Sequence, residues 1–253
     1  MPVSTDDEEA RRPPFNAAAA RRLREALGMT HAHVAYGIWA AYGKRLEPAA
    51  VASWELGESS PTEAELAALA GALWCAPAEL LGAPETLREY RLALGLAPAD
   101  LAHRIGMDVA GYEHLEAGGR WRGTDRQAAA LAEALALPLP ALIRFTDQED
   151  RLVELLTSAA TTRWQGYVRP VGRLAPLPKE RLATALQELH EEYHATMTAS
   201  LSWTGGRAPD EAGRAGRDFL DGILAEFWRR VGGADTLPPA PRDEDGAGAG
   251  ALS

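Results

Sequence analysis

The apolar residues of this chain recur at the three- and four-residue spacing of amphipathic helices, and nowhere do apolar and polar positions alternate as a half-buried strand requires. Between Leu87 and Leu94 the pattern predicts a short helix stopped at Gly95. Pro98 opens the next helix at its first position, where a missing N–H is no loss. That helix points Leu101, Ala102 and Ile105 inward and ends at Gly106. Val109 to Glu116 predicts a third, with Tyr112 and Leu115 inward. After the Gly118-Gly119 turn, Thr124 and Gln127 form a capping box, as Thr62 and Glu65 do earlier. Beyond Asp150 a helix gives way to a Pro- and Arg-containing loop that runs to Arg181. Leu182 to Leu201 predicts an amphipathic helix with Leu182, Leu186, Leu189, Tyr193 and Met197 in one stripe. A polar, Gly-rich link from Trp203 to Gly216 leads to a last helix, Arg217 to Val231, with Phe219, Ile223, Phe227 and Trp228 on a broad apolar face.

The pattern contains one module twice. Thr62 to Gly82 recurs as Thr124 to Ile143, with Thr62 and Thr124, Ala70 and Ala132, and Leu73 and Leu135 each 62 positions apart. Val51 to Gly57 matches Tyr112 to Gly118, which sets Glu55 opposite Glu116 at an offset of 61. Arg24 to Ala35 matches Arg91 to Ala102 at an offset of 67. The first copy therefore carries about six extra residues between its second and third helices. Tyr36, Trp39 and Tyr42 fall in that stretch and are expected in the core, with stacking on a ligand as the alternative. The chain reads as all-α, with five-helix modules at 15–84 and 85–146 and a C-terminal helical region at 147–232. Its ends, 1–14 and 233–253, are rich in Asp and Glu with Pro, Gly or Ala and read as disordered.

A chain of 253 residues, 46% of them hydrophobic, can fill real cores. The single cysteine, Cys75, can form no internal disulfide, and neither a secretory signal nor a membrane-length apolar run is evident, so the cytoplasm is the expected location and no membrane partner is implied. The formal charge of −10 argues against a wholly basic nucleic-acid coat. Much of it comes from the ends, including Asp6 to Glu9 and Asp243 to Asp245. Residues 11–30 and 151–180 are locally basic, so binding through a patch stays open.

The stretch GLAPADLAHRIGMDVAGYEHLEAG, Gly95 to Gly118, followed by Leu131, Ala132, Leu135 and Leu142, resembles the XRE family of phage-repressor-like helix-turn-helix domains. In the first copy GMTHAHVA, VASWELG and SPTEAELAALAGAL match in the same way. The resemblance implies two tandem helix-turn-helix domains whose third helices enter the major groove of double-stranded DNA, in a nucleoid-associated transcriptional regulator that acts as a homodimer. It nominates Thr30, His31, Lys44, Arg45, Glu47, Ala49, Ala50 and Ser53 in the first module as DNA contacts. In the second it nominates Val109, Ala110, Glu113, His114, Arg120, Arg122 and Arg126. His31 and Pro98 stand where the family usually places a polar residue such as Gln. Both third helices are also poor in the side chains that form bidentate bonds with bases. Trp54 and Leu115 are expected in the core, and Glu55 and Glu116 are expected to brace the fold through backbone or arginine partners.

His190, Glu191 and His194 spell H-E-x-x-H, the pattern of a zinc-hydrolase helix. No third ligand follows at a recognisable spacing, and Glu192 puts a charge where such helices carry none. The expected reading is therefore not an enzyme, with no cofactor and no metal; a zinc hydrolase and a protein-interaction factor that has lost DNA binding are the alternatives. The C-terminal helices are expected to pair across a two-fold axis, with an intramolecular brace as the other use. Trp164, Tyr167 and Arg169 could line a pocket for an effector, small molecule or protein, that the sequence does not identify.

Overall fold

Helix ends fall where the sequence supplies caps and left-handed glycines. The computed structural model describes residues 12–202 and 209–232. Among them the protein is all α, with one isolated bridge between Phe15 and Leu81. Among the described residues no helix is long and apolar enough to cross a membrane. Two compact units emerge, Met1–Gly119 and Arg120–Ser253. Their boundary falls inside the stretch 85–146, so that the first three helices of the second expected module belong to one unit and the last two to the other.

The first unit begins with α1 (Ala17–Ala26), α2 (His31–Tyr42), α3 (Pro48–Leu56) and α4 (Glu63–Ala72), followed by a 3₁₀ turn at Pro77–Leu80. Then come α5 (Leu87–Ala93), α6 (Pro98–Arg104) and α7 (Val109–Glu116). Thr30 and Thr62 accept from the backbone N–H three residues on, and Gly43 and Gly57 end α2 and α3 in left-handed conformations that favour glycine. The core of this unit joins Val34, Ile38, Val51, Trp54, Leu66, Leu69 and Leu80, with Leu92 of α5 packed into the same cluster. Trp54 and Leu115 are buried, as their spacing predicts. Arg12 donates to the Ser60 carbonyl at 2.9 Å and Pro13 is buried, so order begins before residue 15, inside the segment read as a disordered end. The rest of that end, and 233–253, lies outside the described residues.

The six-residue excess of the first copy appears as a longer second helix, with 12 residues in α2 against seven in α6. Tyr36, Trp39 and Tyr42 do not enter the core. Val34, Ala35 and Ile38 already occupy the inner face of α2, and all three aromatics are exposed, Tyr42 with its hydroxyl against Gly71 of α4.

The second unit comprises α8 (Asp125–Leu135), α9 (Leu139–Phe145), α10 (Glu149–Thr161), a 3₁₀ turn at Trp164–Tyr167, and α11 (Val168–Leu174). It continues with α12 (Lys179–Ser202), α13 (Pro209–Asp221) and α14 (Ile223–Val231). Its core gathers Leu152, Leu156, Val171, Leu182, Leu186, Leu189, Ile223 and Phe227 from four helices. Where a polar link to Gly216 was expected, residues from Pro209 are helical; residues 203–208 lie outside the described part. The expected last helix is also interrupted at Gly222, which splits it into α13 and α14.

Candidate nucleic-acid interface

The first module is held by an ion pair that ties α1 to α3. Arg24 donates from Nε and Nη2 to the two carboxylate oxygens of Glu55 at 2.6 and 2.7 Å, and from Nη1 to the Met29 carbonyl at 3.0 Å. In the second module Arg91 donates from Nη2 to Glu116 at 2.6 Å and from Nη1 to the Leu96 carbonyl at 2.7 Å. The sequence alignment sets Arg24 opposite Arg91, Met29 opposite Leu96 and Glu55 opposite Glu116. The duplication therefore extends to individual hydrogen bonds. Desolvation is the largest influence on the Glu55 carboxyl and raises its pKa. Hydrogen bonds and charges from Arg24 and His31 together exceed it, and hold the group below its ordinary value.

The nominated contacts divide by what they touch. Thr30 caps α2, with its hydroxyl on the His33 N–H. His31 does not stand free, because its Nε2 lies 3.1 Å from Glu55 and makes it a third member of the buried pair. Lys44 meets Glu65 of α4 at 3.0 Å, so its charge is partly spent within the module. Ser53 is also engaged inside, with its hydroxyl 3.0 Å from the Ala50 carbonyl and 2.6 Å from Ser59. Arg45, Glu47 and Ala49 are exposed, and Ala50 is half-buried.

On α7, Val109, Ala110, Glu113 and His114 are all exposed. Asp108 caps that helix by accepting from the Gly111 N–H at 2.7 Å. Arg120, Arg122 and Arg126 are exposed and belong to the second unit, the first two in a loop and Arg126 in the first turn of α8. Apart from His114, the outer surfaces of α3 and α7 thus carry mostly small, apolar or acidic groups, among them Ala49, Leu56 at 62% exposure, Val109 and Glu113. Neither presents an arginine, lysine, asparagine or glutamine. Compared with protein-family models, with characterised proteins and with solved structures, the chain matches none.

The other nominated features lie in the second unit. The apolar face of α14 and the stripe of α12 pack together against α10, so the surface expected to pair two copies is filled from within the chain. Trp164 lines a surface depression with Arg163, Gln165 and His190, whereas Tyr167 lines a different one with Arg151, Glu154 and Ser158. Arg169 is exposed and borders neither, so these three residues do not converge on one pocket. His190 and His194 sit side by side on α12 with ring centroids 4.3 Å apart, and His190 Nδ1 lies 2.9 Å from the Ala160 carbonyl. Glu191 accepts from Gln187, and Glu192 is paired with Arg230. Among the described residues no group of three His, Cys, Asp or Glu is placed to hold a metal.

The exposed aromatic stripe of α2 is the feature that sequence reasoning missed. Its signal was present in a segment without a single Asp, Glu, Lys or Arg from His31 to Tyr42. A helix apolar on every side is normally buried on every side, and this one is not.

Proposed function

We propose that this protein is a cytoplasmic, nucleoid-associated transcriptional regulator that binds double-stranded DNA through two helix-turn-helix modules. The repeated Arg–Glu brace is the observation that carries the reading. It ties α1 to α3, and again α5 to α7, in equivalent settings while leaving the outer sides of α3 and α7 free for a groove. Arg45, beside the start of α3, supplies a phosphate contact, and the α2 N-terminus at Thr30 adds backbone N–H groups. With Ala49 and Val109 facing bases, discrimination rests on contacts with thymine methyl groups, on Glu113 accepting from cytosine and on DNA shape.

The test is to incubate the purified chain with sheared genomic DNA at two salt concentrations and to sequence what is retained. The expected result is a set of sharp peaks sharing a motif, weakened in Arg45→Ala and redistributed in Ala49→Glu. Smooth retention, or none, overturns the reading.

A second reading is favoured by the same outer surfaces, which lack every long donor. An interaction factor that has kept the fold and lost DNA binding would present such surfaces. Capture of one defined protein partner without DNA, abolished by Leu56→Glu, distinguishes it.

A further inference from the structure

The two modules meet at Glu63, the first residue of α4. Thr62 and Glu65 cap that helix between them, so the Glu63 carboxylate is not needed there. It crosses instead to α5, the first helix of the second module. Arg88 donates to it from Nε, and Arg91 brings Nη2 within 3.4 Å, over separations of 25 and 28 residues. Here the two copies of the module part. Arg21, 67 positions before Arg88, donates to the Glu55 carbonyl of its own module at 3.0 Å. Arg88 joins the preceding module instead.

Arg91 carries the connection onward. The Nη2 that faces Glu63 also donates to Glu116 of α7 at 2.6 Å, and the Arg91 side chain is almost fully buried. Glu63, Arg88, Arg91 and Glu116 thus form a cluster of two cations and two carboxylates that runs from α4 through α5 to α7. At its other end α4 shares an apolar cluster with α3, where Leu66 and Leu69 join Val51 and Trp54. Leu92 of α5 enters that cluster too, and α5 packs on the 3₁₀ turn at Pro77–Leu80. A continuous path of contacts therefore links the two candidate recognition helices within one compact unit.

We propose that Glu63 locks the two modules into one rigid reading head, so that a single chain selects duplexes carrying two subsites at one fixed separation. The second half of this statement rests on the DNA-binding reading; the first does not. Modules joined by a flexible tether engage their subsites over a range of spacings, because the tether sets only an effective concentration. A charge cluster half-buried at Glu63 and Arg88 and deeply buried at Arg91 removes that freedom, and it is screened by salt less than a surface pair is. Glu63 is a positioning residue, which acts on α7 through Arg88 and Arg91.

Spin labels on Ala49→Cys and Val109→Cys, both exposed positions, in a full chain that also carries Cys75→Ala report the distance from α3 to α7 without DNA. Pulsed electron paramagnetic resonance is expected to give one narrow distance. Glu63→Gln should broaden it, and so should Arg88→Met, which leaves the Arg91–Glu116 brace in place; the two together should broaden it no further. A broad distribution without either substitution overturns the lock, as does a narrow one that survives both. Selection from random duplexes reads the second half. The expected motif has two subsites at one separation, and one inserted base pair, about a tenth of a helical turn, should weaken binding roughly tenfold, as a mismatched base pair does. Glu63→Gln should accept both spacings. A motif with one subsite, or with freely spaced subsites, overturns the selection. No specific retention at all removes it along with the DNA-binding reading, and the spin-label distances still decide the lock.

Discussion

Arg24 and Glu55 meet as a bidentate pair whose carboxylate side is almost completely buried, 31 residues apart in sequence. Arg91 and Glu116 repeat that relationship in the second module, 25 residues apart. The shorter separation reflects the shorter α6 and not a different brace. Each pair closes a helix onto the one beneath the candidate groove surface, so the geometry of that surface depends on it.

Breaking one side of either pair leaves the other charge without its main partner in a poorly solvated site. Arg24→Met is expected to destabilise the first unit by about 3–5 kcal/mol, and Arg91→Met by a similar amount. Chemical denaturation followed by tryptophan fluorescence measures both. The double replacement Arg24→Met/Glu55→Leu should recover most of the loss, since two apolar groups remove the stranded charge. A single replacement costing under about 1 kcal/mol would mean that the pair is solvated as surface pairs are.

The same carboxylate predicts an acid limb. Glu55 is held below its ordinary value of 4.5 in the folded chain, so its contribution is present above that pH and disappears as pH falls through the lower, folded value. Glu65 behaves alike: desolvation raises it, but the Thr62 N–H and Lys44 more than compensate. Stability should therefore fall as the medium becomes more acid than about pH 4.5. Glu55→Gln should be less stable at neutral pH and show a shallower acid decline. Thermal midpoints across pH 3 to 7 give the comparison, and parallel curves for the two proteins would refute the assignment.

Tyr112 offers a stabilising substitution. Its side chain is completely buried and its hydroxyl, although near Glu116, makes no hydrogen bond of good geometry. Burial and then the Glu116 charge push its pKa upward, so the phenol stays neutral. An unsatisfied buried hydroxyl costs about 1–3 kcal/mol, and Tyr112→Phe removes it without changing the ring. The expected outcome is a stability equal to wild type or higher by about 1 kcal/mol. A clear loss would show that the hydroxyl is satisfied after all.

Local signals made much of the helical fold legible. Val109–Glu116 is bounded in the sequence by the Gly118-Gly119 turn, and Thr62 and Thr124 announce their helices through residues three positions on. The Arg–Glu brace is half legible, because the position of Glu55 and Glu116 points to a structural role while their arginines stand in another aligned block. What failed was tertiary. Tyr36, Trp39 and Tyr42 were placed inside on composition alone, whereas α2 has a single inner face and Val34 and Ile38 fill it. The break at Gly222 was missed because apolar residues keep helical spacing on both sides of it. His31 and Lys44 looked like free donors because no sequence pattern shows that Glu55 and Glu65 lie beside them.

The salt dependence of DNA binding should separate two neighbouring basic residues. Arg45 is exposed beside the start of α3, while Lys44 is tied to Glu65. Each phosphate contact contributes about 0.9 to the slope of log K against log salt. Arg45→Ala is expected to lower that slope by about one contact's worth. Lys44→Ala should change it little and cost about 1 kcal/mol of stability, as a partly exposed pair does. Equal effects on the slope would mean that Lys44 leaves Glu65 when DNA arrives.

The histidine pair on α12 should not hold zinc. His190 and His194 are close enough to touch one ion, but a tightly held zinc needs at least three protein ligands. Glu191 is occupied by Gln187, Glu192 by Arg230, and no third ligand is placed beside the histidines among the described residues. Protein dialysed against metal-free buffer is therefore expected to carry well below one equivalent of zinc by atomic absorption. A chelator should leave its thermal midpoint unchanged, and Glu191→Ala should retain wild-type stability. One full equivalent surviving dialysis, lost in His194→Ala, would require a further ligand from outside the described residues and would reopen the hydrolase reading.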